Sequence, residues 1–162
     1  MVRFKRILFL FVFTLCFTAI FAQAKVNFIT QGNLRTVFDL AKAQHKKVFL
    51  EVYSPDCHLC QALEPSFSNA EVAKYFNANF ISYRLDANKM ETLAFLQKQK
   101  VYIQSTPTLL FYNADVKIIY QSILTEQNIS AETLLSEAKK AMAGTRYLIH
   151  LSLNNEYFVF SI

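Results

Sequence analysis

The chain opens with a charged start, Met-Val-Arg-Phe-Lys-Arg, followed by a nearly unbroken apolar run from Ile7 to Ala22. At about 16 residues the run falls short of the roughly 20 that a bilayer-spanning helix needs. Ala22-Gln23-Ala24 behind it has the small-x-small form of a leader cleavage site. The pattern predicts a signal peptide over residues 1–24 and an exported domain; the alternative is an uncleaved leader that anchors the domain to the membrane. Cys16 follows Leu15 where lipid attachment would want a small residue.

Beyond Lys25 the pattern breaks into short blocks. Val26 to Thr30 reads as a strand, and Gln31-Gly32-Asn33 as a turn and cap. Leu34, Val37, Phe38 and Ala41 then recur at helical spacing. Val48 to Tyr53 is a β-branched and aromatic run carrying one acid, Glu51, which predicts a central strand buried on both faces and ended by Ser54-Pro55-Asp56. A helix should run from Cys57 towards Phe67, kinked at Pro65. Ser68-Asn69-Ala70-Glu71 has capping-box spacing ahead of Val72, Tyr75 and Phe76. A second strand covers Phe80 to Leu85, and a helix runs from Met90 through Lys100. Thr106-Pro107-Thr108 leads into the strand Leu109 to Tyr112. Asn113-Ala114-Asp115 then turns the chain into Val116 to Tyr120 as a hairpin. Ser130 caps a last helix to Met142, closed by Gly144.

This order predicts one α/β domain over residues 25–144, a mixed central sheet flanked by helices on both faces. In residues 145–162, Ile149, Leu151 and Leu153 alternate with polar residues ahead of Tyr157-Phe158-Val159-Phe160. That pattern predicts an extra C-terminal β-hairpin, read as an extension of the sheet; the sharper alternative is an edge that binds a partner.

Charge narrows the function. Formal net charge is +5, but the leader holds Arg3, Lys5 and Arg6 and no acid, so the remainder carries 14 basic residues against 12 acidic. With no basic block and no aromatic-interleaved basic stripe, nucleic acid is not an expected partner. Two glycines in the whole chain leave no room for a glycine-rich phosphate loop, and no cofactor is implied.

Outside the leader only Cys57 and Cys60 remain, separated by His58-Leu59. A disulfide closing so small a loop removes little chain entropy, so the pair asks for a chemical reason. At a helix N-terminus Cys57 would face unpaired N–H groups that favour its thiolate. Cys60, one turn on, would be the shielded thiol that resolves a mixed disulfide. His58 beside the nucleophile either lowers the thiol pKa further or is an inert exposed histidine; the negative charge of Asp56 would oppose thiolate formation slightly. Glu51, if buried, would exchange a proton with Cys60; otherwise its side chain escapes at the strand end. Pro107 is either an ordinary trans proline or a cis proline, exposing backbone at Thr106 for pairing with an extended substrate.

The segment Tyr53-Ser54-Pro55-Asp56-Cys57-His58-Leu59-Cys60 resembles the active-site segment of the thioredoxin superfamily. The resemblance extends to Glu51 six residues before the first cysteine, Pro65 five after the second, and Thr106-Pro107-Thr108 as the cis-proline loop. Residues 69–86 are similar to periplasmic thioredoxin-like domains of the Dsb type. The chain departs from the family in Asp56 for the frequent Trp, in His-Leu for Gly-Pro, and in Gln121 where many relatives have Gly after the hairpin. The resemblance implies a thioredoxin-like fold and a thiol–disulfide oxidoreductase of the bacterial periplasm, reductase-like by its likeness to reducing domains. Its partners would be protein disulfide or dithiol clients and a redox protein, membrane-bound in one version. Two alternatives stand beside it: a metal module in which Cys57, Cys60 and His58 hold Cu(I) or Zn(II), and a redox-inert binding module. Zinc ordinarily takes four ligands, and His45 and His150 stand apart from the pair.

Overall fold

In this computed structural model residues 25–144 are described; the leader expected over 1–24 and the hairpin expected over 145–162 lie outside them. The centre of the sheet is β1 (Lys47–Tyr53), because its apolar run is buried on both faces from Val48 to Val52. Side chains alternate across a strand, so Val48, Leu50 and Val52 join one core cluster while Phe49 joins the other. β2 (Phe80–Asp86) pairs parallel with β1, and β3 (Thr108–Tyr112) pairs antiparallel on the other side. β4 (Ile118–Ile123) adds antiparallel to β3, giving the order β2-β1-β3-β4.

Helices cover both faces. α1 (Leu34–Ala43) and α4 (Met90–Lys98) bring Val37, Phe38, Ala41 and Leu96 to the Val48 side. α2 (His58–Leu63), a 3₁₀ turn (Glu64–Ser68), α3 (Ala70–Asn79) and α5 (Ala131–Met142) bring Leu63, Phe67, Phe76 and Leu134 to the Phe49 side. Phe49 lies 4.9 Å from Phe76 and 5.1 Å from Phe111 between ring centroids. Truncating such a ring to Ala costs about 3–5 kcal/mol. Leu63 of α2 packs into this layer, which ties the helix to the core beneath the sheet's Phe49 face.

Several local expectations give way to tertiary structure. The first strand shrinks to a single bridge, Phe28 to Ser82. Neighbouring N–H groups are taken elsewhere, Val26 by the Phe67 carbonyl and Asn27 by the Asn77 side chain. The helix after the cysteines does not continue as α-helix through Pro65 but tightens into the 3₁₀ turn, since proline has no N–H for the α ladder. The cap of α3 is Asn69 and not Ser68; its Oδ1 accepts from the N–H of Glu71 at 3.0 Å and of Val72 at 3.2 Å. Glu71 therefore stands one place too early to close a capping box. The strand expected from Val116 begins at Ile118 instead, because the Asn113 side chain accepts from Asp115 and Lys117 and holds the turn open that far. Gln121 consequently lies inside β4 opposite Leu110, not after the hairpin. Gly144, at φ 69°, follows α5 as a left-handed residue that a side chain would disfavour.

Candidate active site

β1 delivers Tyr53 to the edge of the core, and the Ser54-Pro55-Asp56 turn then sets the start of α2. Within that turn the Cys57 N–H donates to the Ser54 carbonyl at 3.2 Å. Cys57 is the N-cap of α2, and its Sγ accepts from the Cys60 N–H at 3.0 Å. The three-residue spacing brings the two sulfurs to one side of the helix start, where they form a disulfide with Cα atoms 5.3 Å apart. Cys57 is half-buried; Cys60 is buried at 8% exposure.

The sulfurs face two different surroundings. On the Cys57 side, the carbonyl oxygen of Thr106 lies 3.4 Å from Sγ. A disulfide sulfur carries no proton, so this is close approach and not a hydrogen bond. The Thr106–Pro107 peptide is cis, and Pro107 is buried. The loop is held by the Thr108 hydroxyl, which donates to the Ser105 carbonyl at 2.6 Å, and by the Leu124 N–H, which donates to the Pro107 carbonyl at 3.2 Å.

On the Cys60 side lies a cleft of about 200 Å³ that Cys60 shares with Glu51, Pro55, Gln61, Glu64 and Arg84. Glu51 points here because it follows Phe49 by two on the same face of β1. It is only 2% exposed. The parallel register sets Arg84 of β2 opposite it, and Arg84 Nε donates to Glu51 Oε2 at 2.7 Å. The other arm of the guanidinium, Nη2, donates to Glu64 Oε2, while Lys25 Nζ donates to Glu64 Oε1 at 3.2 Å. The guanidinium also lies over the Phe28 ring, 4.2 Å from its centroid. Burial pushes the Glu51 carboxyl up to about 7, against the opposing charge and hydrogen bond of Arg84. Burial also pushes Glu64 up, but Arg84 and Lys25 outweigh it and hold that carboxyl below its ordinary value.

Of the residues singled out in the sequence, Cys57, Cys60, Thr106 and Pro107 meet around the sulfurs, and Glu51 joins them from below. Asp56 and His58 are exposed at the rim, where His58 Nε2 stands 3.4 Å from Glu126 Oε1. Among the described residues no three His, Cys, Asp or Glu side chains converge as a metal site requires. Sequence reasoning passed over Arg84, Glu64 and Glu126. The signal for Arg84 was present: a lone cation inside an apolar strand, matching a lone acid inside its neighbour. Glu126 had none, since its loop reaches His58 only through the tertiary fold.

The family model for a thioredoxin-like domain matches residues 34–134, a span that runs from α1 into α5 and contains both cysteines and Pro107. The chain belongs to the thioredoxin-like family. Within it, the chain is 30% identical over 115 residues to protein disulfide isomerase-like 1-4 of Oryza sativa subsp. japonica, covering 63% of this chain and 20% of that protein. It is 42% identical over 50 residues to spermatogenesis-associated protein 20 of Rattus norvegicus, covering 30% of this chain and 6% of that protein. The chain thus spans a fifth or less of the length of these curated relatives. Among solved structures, a candidate disulphide isomerase from Bacteroides thetaiotaomicron superposes with a TM-score of 0.61 at 28% identity, covering 75% of this chain and 97% of that one. A disulphide isomerase from Xylella fastidiosa Temecula1 superposes at 0.60 with 19% identity, over 72% of this chain and 97% of its own, and shares the fold.

Proposed function

We propose that this protein is an exported thiol–disulfide oxidoreductase that exchanges disulfides with protein clients through Cys57 and Cys60, as a reductase. The observation that carries the reading is the asymmetry of the sulfur pair: Cys57 caps a helix beside the Thr106 carbonyl, and Cys60 is buried in a cleft that it shares with the Glu51 carboxyl. Export is supported by the basic start, apolar run and A-x-A of residues 1–24, and the periplasm by the likeness to Dsb-type domains.

In the reduced form the Cys57 thiolate, which accepts the Cys60 N–H, attacks one sulfur of a client disulfide. A bond forms between Cys57 and that sulfur, and the client's other sulfur leaves as a thiolate that takes a proton. The client segment lies along Thr106–Pro107, whose backbone is set beside Cys57. Cys60 then gives its proton to Glu51 and attacks Cys57. The internal disulfide forms, the second client thiolate departs, and two electrons have passed to the client. A dithiol partner protein returns the pair to the reduced form. No nucleic acid, metal or cofactor enters the cycle.

An isomerase is the second reading, favoured by the names of the rice and Bacteroides relatives; it uses the same residues with the electron count returning to zero. The test has two parts. Reduction of insulin by dithiothreitol, followed as turbidity, accelerates with the wild type and loses that acceleration in Cys57→Ser. Titration of the pair against glutathione gives a potential near the thioredoxin value of about −270 mV for a reductase, whereas a value above about −180 mV contradicts that direction.

A further inference from the structure

Arg84 serves two carboxylates at once. Its Nε donates to Glu51 at 2.7 Å and its Nη2 to Glu64, so the guanidinium fork bridges a buried acid and a half-buried one. The Phe28 and Phe67 rings, 4.2 and 5.3 Å from the guanidinium carbon and in contact with each other, back this position from one side. Glu64 opens the 3₁₀ turn, four residues after Cys60, a spacing that keeps it on the same helical face as the buried cysteine. Its second oxygen is held by Lys25 at 3.2 Å. Glu64 and Arg84 are 41% and 32% exposed in their side chains, so the cleft runs from solvent past this pair to Glu51.

From this arrangement we propose that Glu64 is a positioning residue for the thiol chemistry: by drawing one arm of Arg84 onto itself, it limits how firmly Arg84 holds Glu51 as an anion. Glu51 thereby remains a group that accepts the Cys60 proton close to neutral pH. The proposal rests on the dithiol reading above. The groups facing Glu51 are Cys60 from α2, Glu64 from the 3₁₀ turn and Arg84 from β2. Tyr53 adds a titratable group from its own strand, and Lys25 acts through Glu64. Across β3 its register partner is Leu109, which carries no charge. Neutralising Glu64 leaves Arg84 undivided and removes a neighbouring negative charge. Both changes favour the ionised form of Glu51, consistent with the balance that holds its carboxyl near 7.

The test follows the carboxyl carbon of Glu51 by NMR across pH in the oxidised full chain, alongside the pH profile of mixed-disulfide resolution in the reduced one. In Glu64→Gln both midpoints move down by about 0.5–1 pH unit. In Lys25→Met, where Glu64 keeps only Arg84 and pulls on it harder, both move up. Opposite signs in two variants of one cluster are not what loosened packing produces. If the Glu51 midpoint in Glu64→Gln coincides with wild type while the wild type turns over client disulfide, the inference is overturned and the dithiol reading stands. A wild type that leaves client disulfide untouched at every pH overturns the dithiol reading, and the role of Glu64 falls with it.

Discussion

Glu51 and Glu137 are the two buried carboxylates among the described residues, at 2% and 6% exposure, and each lies within reach of a cation. Their proton affinities nonetheless move in opposite directions. Glu137, on α5, accepts from the Tyr120 hydroxyl at 2.6 Å and from Lys140 Nζ at 2.6 Å. Burial pushes its carboxyl up, but these donors, with Ser122, outweigh that effect and hold it below the ordinary carboxylate range. Glu51 has one cation, which it shares with Glu64, and burial wins. Burial sets the cost of a charge, greater at Glu51 than at Glu137, and that cost weighed against the donors left to the charge decides whether the acid becomes a fixed anion or a proton acceptor. Glu137 pins α5 to β4. Glu51 shares its cleft with Cys60, and burial pushes its carboxyl up to about 7.

The largest expected break in this comparison is kinetic. Glu51→Gln cannot take the Cys60 proton, and resolution of a trapped mixed disulfide, followed by stopped flow at pH 7, slows about 100-fold. Glu137→Gln leaves that rate as in wild type. Equal slowing in both variants would show that the two acids act through the fold and not through proton transfer.

Stability separates them next, in opposite senses. Glu51 binds its proton more tightly folded than unfolded, so its ionisation removes stability as pH rises from the ordinary 4.5 to about 7. With the disulfide intact, Glu51→Gln flattens this decline and unfolds in urea about 1–3 kcal/mol later than wild type at pH 8. Glu137 is held low; its contribution is present above the ordinary carboxylate value and is lost as pH falls through the folded one. Glu137→Gln therefore costs about 1–3 kcal/mol at pH 7, and the cost shrinks in acid. The smallest effect is Tyr120→Phe, which removes one donor from Glu137 and lowers stability by about 1 kcal/mol at pH 7 while leaving thiol chemistry unchanged.

Much of this architecture was legible in the chain. The Val48–Tyr53 run announced a strand buried on both faces, and the β-α-β order with a closing hairpin and helix announced the mixed sheet. The placement of Cys57 at a helix start followed from Ser54-Pro55-Asp56, which ends β1 with nothing left to extend it. What escaped was set by partners distant in sequence or by single side chains within a turn. Val26 to Thr30 has strand composition, but Phe67 and Asn77 take N–H groups that a ladder would have used. The extent of the 113–117 turn depends on one asparagine side chain. Arg84 and Glu64 became part of the site through strand register and through the 3₁₀ turn at Pro65, neither of which periodicity reports.

The central claim is that the sulfur of Cys57, which in the disulfide form is seated as an N-cap and accepts the Cys60 N–H, becomes an activated thiolate on reduction. The most direct measurement is the rate of alkylation of the reduced, folded chain by iodoacetamide at pH 7, with the modified cysteine located by mass spectrometry. The account predicts that Cys57 reacts about 5–10-fold faster than a cysteine of the urea-unfolded chain and that Cys60 reacts more slowly than either. A Cys57 that reacts no faster folded than unfolded contradicts it.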